Sequence, residues 1–213
     1  RNVTGYDNAN PLQGFTQWWQ SQLDVERIKN QQNTSEGNQY TWNPVGISTD
    51  DNGNLTSFNP TPNYFDNPSW NRENRLQEDV KNRVFGNANL SYDITDNLKI
   101  TTQFGTDFFQ FSVREGIPLR SVDGSRYEET ERKFQETNME VRLNYNKDIN
   151  EEFSFNGFIG ANRMRQSSKR ITAETNGGIV IDRFFNIGNS ADSPLVDTYE
   201  STWGINSIFG SAS

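Results

Sequence analysis

The chain has 213 residues, room for one or two ordinary domains, and contains neither cysteine nor histidine. That excludes a disulfide framework, cysteine-based metal or redox chemistry, and the commonest general base. Its net charge of -8 has the wrong sign for a phosphate backbone, so without a strong basic patch nucleic acid is excluded as a partner.

Apolar residues make up only 31%, yet aromatics reach 13%. A disordered chain is poor in aromatics, whereas strands with one buried or lipid-facing face combine the two features. There is no run of about 18 apolar residues, which excludes a transmembrane helix. The opening RNVTGYDNANPLQG has no apolar core of signal-peptide type. Both ends read as cut, so the 213 residues are expected to be a piece of something longer.

Residues 1–82 read as an exposed, loop-rich segment. The spacing of Phe15, Trp18, Trp19, Leu23 and Val25 or Ile28 predicts one short helix within 14–31. The stretch TDDNGNLTSF (49–58) predicts two extended pieces around an Asn-Gly turn. Three prolines in NPTPNYFDNPSW (59–70) disfavour both helix and central strand.

Residues 83–213 read as antiparallel strands. Val84, Gly86, Ala88, Leu90 and Tyr92 share one face; Phe85, Asn87, Asn89 and Ser91 share the other. After a turn at 93–97, Leu98, Ile100, Thr102, Phe104, Thr106 and Phe108 oppose Lys99, Thr101, Gln103, Gly105 and Asp107. Met139, Val141, Leu143 and Tyr145 alternate with Glu140, Arg142 and Asn144. A second short turn at 147–152 leads to Phe153, Phe155, Gly157, Ile159 and Ala161 on one face. A last strand is expected near Trp203, and IFGSAS (208–213) echoes VFGNANLSY (84–92). Short turns thus alternate with expected long connections at 112–137 and 163–200.

Apolar-out alternation, short turns on one side and long loops on the other are the properties of outer-membrane barrels. Tyr92 and Tyr145, each beside a short turn, suit an interfacial girdle. A soluble antiparallel sheet alternates in the same way, and a soluble all-β carbohydrate-binding module is the alternative.

Five blocks carry a resemblance: NPLQGFTQWWQSQLDVERIKN (10–30), NYFDNPSW through GTDFF (63–109), FQETNMEVRLNYNKDINEEFSFNGFIGAN (134–162), TNGGIVIDRFFNIGNS (175–190) and INSIFGSAS (205–213). In this order they resemble the barrel of SusC/RagA-type TonB-dependent outer-membrane transporters of Bacteroidetes. The resemblance implies an all-β fold: an antiparallel transmembrane β-barrel segment, about five strands of a barrel of about 22, with long extracellular loops. It also implies import of oligosaccharides or peptides into the periplasm of a Gram-negative cell. The implied partners are a SusD-like surface lipoprotein acting as a lid, outer-membrane lipid, and the TonB complex, reached through an absent N-terminal part.

Trp18, Trp19, Trp42, Tyr64, Phe65 and Trp70 are candidate ligand or lid contacts, with loop packing as the other use for such rings. Asn87, Asn89, Gln103, Asp107, Glu140, Arg142 and Asn144 are expected to face the lumen. DDNGN (50–54) lacks a full calcium ligand set, and TNGG (175–178) reads as a tight bend. The pairs Asp50/Asp51, Glu128/Glu129 and Glu151/Glu152 are neighbours in sequence, which on a strand sends them to opposite faces. No enzyme, metal or cofactor is expected.

Overall fold

A computed structural model of the chain describes residues 23–30, 33 and 38–213. The elements are α1 (Val25–Asn30), β1 (Pro44–Thr49), β2 (Leu55–Pro62), α2 (Pro68–Asn74), β3 (Leu76–Thr95), β4 (Leu98–Ile117), β5 (Arg126–Asp148), β6 (Ser154–Ile179), a 3-10 turn (Ile187–Asn189) and β7 (Ser190–Ala212). The described residues are mostly β, in a hairpin of β1 with β2 and a five-stranded sheet ordered β3-β4-β5-β6-β7. Asp96 and Asn97 alone join β3 to β4, which forces antiparallel pairing. On the β6–β7 pair, Asn156 and Ser213 exchange N–H···O bonds of 3.0 and 2.8 Å. That reciprocal exchange is an antiparallel signature. Among the described residues, β3 and β7 each have one neighbour in the sheet.

The strands are longer than alternation indicates. β4 and β5 consume most of the connection expected at 112–137, leaving 118–125; β6 and β7 consume most of 163–200, leaving 180–189. The last strand begins at Ser190, well before Trp203. These stretches escape a period-2 reading because both their faces are polar, as in RYEETERK (126–133).

The chain divides into two compact units. One comprises 79–113, 130–172 and 196–213, which is sheet throughout apart from short turns. The other holds the described residues up to Glu78 together with 114–129 and 173–195. In it, the Asp50–Asn54 turn closes the β1–β2 hairpin as expected, with Gly53 at φ +81°. Asp50 accepts hydrogen bonds from the Asn54 side chain and from the amides of Asn54 and Asn52, which hold its carboxyl below the ordinary range. Pro60 and Pro62 lie on a strand of a two-stranded sheet, where both strands are edges.

The third proline corrects the expectation against helix. Asn67 caps α2 by accepting from the Ser69 and Trp70 amides, and Pro68 opens the helix where its missing N–H costs nothing. Of the helix expected in 14–31, Val25–Asn30 is observed with Ile28 buried; Phe15, Trp18 and Trp19 lie outside the described residues. In TNGG, Gly177 and Gly178 have φ of +70° and +91° near the end of β6. Only glycine takes that conformation without strain, and the spaces where their side chains would stand are occupied by Asp192 and Ser125.

Candidate functional site

The long sheet of the first unit has two chemically different faces. On one, Tyr145 and Phe155 approach to 6.0 Å, and the row through Val84, Leu90, Tyr92, Phe104, Phe108, Met139, Ile159 and Ile208 is exposed. This is the apolar face that alternation identified.

The other face carries a series of cations laid on aromatic rings and paired with carboxylates. Lys81 lies 4.3 Å above the Phe109 ring, which stacks on Phe134 at 4.9 Å. Arg83 covers Phe85 at 5.0 Å and grips Asp107 with two bonds of 2.9 and 2.6 Å. Arg142 lies 4.9 Å from Phe158 and 5.6 Å from Phe209, and its Nη2 donates to Glu140 at 2.9 Å. Gly160 makes this possible, since a Cβ there would stand 2.6 Å from the Phe209 ring. Cation–π contacts contribute about 0.5–1 kcal/mol each at exposed positions. This face therefore offers a ligand both these charged groups and exposed rings, since Phe85 is 71% exposed and Tyr199 and Trp203 are exposed on the Phe209 side of β7.

Of the seven residues expected on this face, Asp107, Glu140 and Arg142 form the ion pairs just described. Asn144 donates to the Lys99 carbonyl at 3.4 Å and reaches the Thr101 hydroxyl at 3.5 Å. Asn87 lines an open depression of about 450 Å³ with Arg83, Asp107, Glu136 and Asn138. Asn89 and Gln103 are exposed. The structure brings Asn87 and Asp107 together in that depression, while Glu140 and Arg142 belong to the separate Phe158–Phe209 cluster. Sequence reasoning placed Phe85 and Phe158 on this face without naming either of them, or Phe109, Phe134 or Phe209, as members of a site. Their signal was the echo between VFGNA and IFGSA, whose phenylalanines, Phe85 and Phe209, both lie under an arginine.

The second unit is organised by buried polar side chains. Asp66 accepts from Gln39 at 2.6 Å, from Ser121 at 2.6 Å and from the Val122 amide at 3.0 Å. Arg75 pairs with Asp66 at 3.1 Å and also reaches Ser121, Asn71 and Asp123. Asn67 donates to the carbonyls of Ile28 and Tyr40. Asn43 Oδ1 takes the amides of Asn63, Tyr64 and Phe65, and Asn189 plays a similar part in loop 180–189.

These bonds place the loop aromatics. Trp70 is 4% exposed on α2, so its ring is packed and presents no free face to a ligand. Tyr64 is 68% exposed, and Trp42 and Phe65 are half-buried. Trp18 and Trp19 lie outside the described residues. Tyr64 is thus the most accessible ring of the described four.

Glu128 and Glu129 separate as their adjacency dictates. Glu129 accepts from the Tyr127 hydroxyl at 3.0 Å; burial, with that bond, pushes the phenol up to about 12. Glu128 instead repels Glu115. Burial first, and then Glu128, raise the Glu115 carboxyl above its ordinary value, against the pull of Arg126 at 3.9 Å. The folded state therefore holds this proton more tightly than the unfolded state. The resulting stability is present below the ordinary carboxyl pKa of 4.5 and is lost as pH rises through the raised value. Glu115→Gln is expected to flatten the pH dependence of protection at the 114–129 amides, measured by hydrogen exchange from pH 4 to 7; an unchanged slope would exclude Glu115 as its source.

No protein-family model matches the chain, and no curated protein matches it significantly.

Proposed function

We propose that the chain is part of the wall of an outer-membrane β-barrel, within a TonB-dependent transporter of SusC/RagA type. In this reading the whole protein imports oligosaccharides or peptides into the periplasm, closed from outside by a SusD-like lipoprotein. One observation carries it. Consecutive antiparallel strands leave Val84, Leu90, Tyr92, Ile159 and Ile208 between 59 and 83% exposed, with nothing packed over them among the described residues. In water such a face is buried against a second layer. In a bilayer it is already in its solvent, provided every backbone group pairs along a closed ladder.

Two further features support the reading. On β3, β4 and β6 the apolar row runs through about 84–94, 98–108 and 153–161, close to the ~9–11 residues a tilted strand needs to cross a hydrocarbon core, while on β5 it covers 139–145 and on β7 it is carried by Ile208 and Ala212. The connections also divide by side. Those at 96–97 and 149–153 are short, and those at 118–125 and 180–189 are longer and contribute Ser121, Val122 and Asn189 to the buried polar bonds. Long loops mark the extracellular end of such barrels.

The test is to fractionate the source cells, denature the polypeptide completely and weigh it. The reading expects an outer-membrane protein several times heavier than these 213 residues, released only by detergent. A chain of this length recovered from the soluble fraction would overturn it.

A further inference from the structure

On the apolar face, β6 changes character in one step. Phe155, Gly157, Ile159 and Ala161 are followed on the same side by Arg163, Arg165 and Lys169. Contacts fix that side. Phe155 meets Tyr145 of the apolar row, the Arg165 side chain lies over Gly204 on β7, and Lys169 reaches Glu200 at 3.7 Å. By contrast, Phe158 and Arg170 point to the other face, toward Phe209 and toward Asp197 and Tyr199.

β5 repeats the change. Its apolar row ends at Met139, and Lys133 follows on the same side, since Arg132 and Phe134 both turn to Phe109 on the polar face. The hydroxyls of Thr130 and Thr172 meet at 2.9 Å and the side chains of Asn138 and Asn162 at 2.6 Å. This register puts Lys133 among the basic residues of β6. Arg163, Arg165 and Lys133 are exposed and have no carboxylate partner among the described residues, unlike Lys169. Three unpaired cations on an acidic chain therefore form a rim at the end of an apolar band, after Ala161 on β6 and before Met139 on β5.

We propose that Arg163, Arg165 and Lys133 bind the phosphate groups of the outer-leaflet glycolipid. The inference rests on the membrane reading above and adds a partner to it. Its physical basis is the order of the groups along the strand. Acyl chains cover Phe155 to Ala161, and the next chemical layer outward is the headgroup, where guanidinium offers a fork of donors to phosphate. Long basic side chains at that level keep their stems against the band and their charges among the headgroups. The pairing of Lys169 with Glu200 leaves the other three as the available charge.

The experiment uses the complete protein, extracted from outer membranes and titrated with detergent micelles carrying either bis-phosphorylated or dephosphorylated lipid A. Each cation is expected to contribute a factor of about five, so Lys133→Gln/Arg163→Gln/Arg165→Gln should weaken binding of the phosphorylated form on the order of 100-fold. A Lys133→Arg/Arg163→Lys/Arg165→Lys variant should retain it. Equal binding of the two lipids, or a glutamine variant that binds like the parent, would overturn the proposal while leaving the membrane reading intact. A parent protein that never enters the outer-membrane fraction would overturn that reading instead, and the proposal with it.

Discussion

Val141→Arg or Leu143→Arg is expected to abolish assembly of the whole protein in the outer membrane. Both residues lie in the Met139–Tyr145 stretch of the apolar row. An arginine on the lipid face near the bilayer midplane costs about 2–4 kcal/mol, a large fraction of what holds a strand in place. Arg142, between them in sequence, serves as the control. It points to the opposite face, and Arg142→Gln forfeits two ring contacts and the Glu140 pair at a cost of about 1–2 kcal/mol, leaving the lipid surface unchanged. The readout is the fraction of outer-membrane protein that keeps its folded electrophoretic mobility until heated. Normal assembly of Val141→Arg together with loss of Arg142→Gln would mean that the faces are reversed.

Arg75→Ala is expected to open the polar network without touching the apolar band. The Asp66 carboxylate has no exposed surface, and the Arg75 side chain is 6% exposed. Removing the guanidinium leaves a buried charge uncompensated, which costs about 3–5 kcal/mol. The double variant Asp66→Ala/Arg75→Ala removes that charge but takes the acceptor from the Val122 N–H and from one of the two donations of Gln39 Nε2, which keeps its bond to the Arg120 carbonyl, so it should recover only part of the loss. Limited proteolysis of the intact protein should show new cuts within 38–75 and 118–125. Protection equal to the parent's in Arg75→Ala would show that the pair does not hold these segments.

These two sites differ in how far sequence reveals them. The faces around Val141 are legible because every second residue changes polarity, so period and side follow together. Where both faces are polar, as in Glu128 to Glu131, the contrast vanishes, and the outer parts of β4 to β7 read as connections. The network around Asp66 is a harder case. Its partners Gln39 and Ser121 are 27 and 55 residues away, and no local rule links them. Asn43, Asn67 and Asn189 look like turn residues in a chain rich in asparagine. Only Asn67 carried a readable mark, standing before a proline as helix caps do, and the two earlier prolines obscured it.

Among the described residues β3 and β7 each bond a single neighbour in the sheet, and they are 20 and 23 residues long. Along each, every second pair of peptide groups therefore points away from its partner, beside side chains as greasy as Leu90 and Ile208. Two different edges on one molecule make a heterologous pair. In water, the β3 edge of one copy can add to the β7 edge of the next, giving a ring if the rotation between copies closes and a filament if it does not. Produced by itself, this stretch is expected to self-associate through these rims, and keeping it as a monomer in water calls for both to be capped.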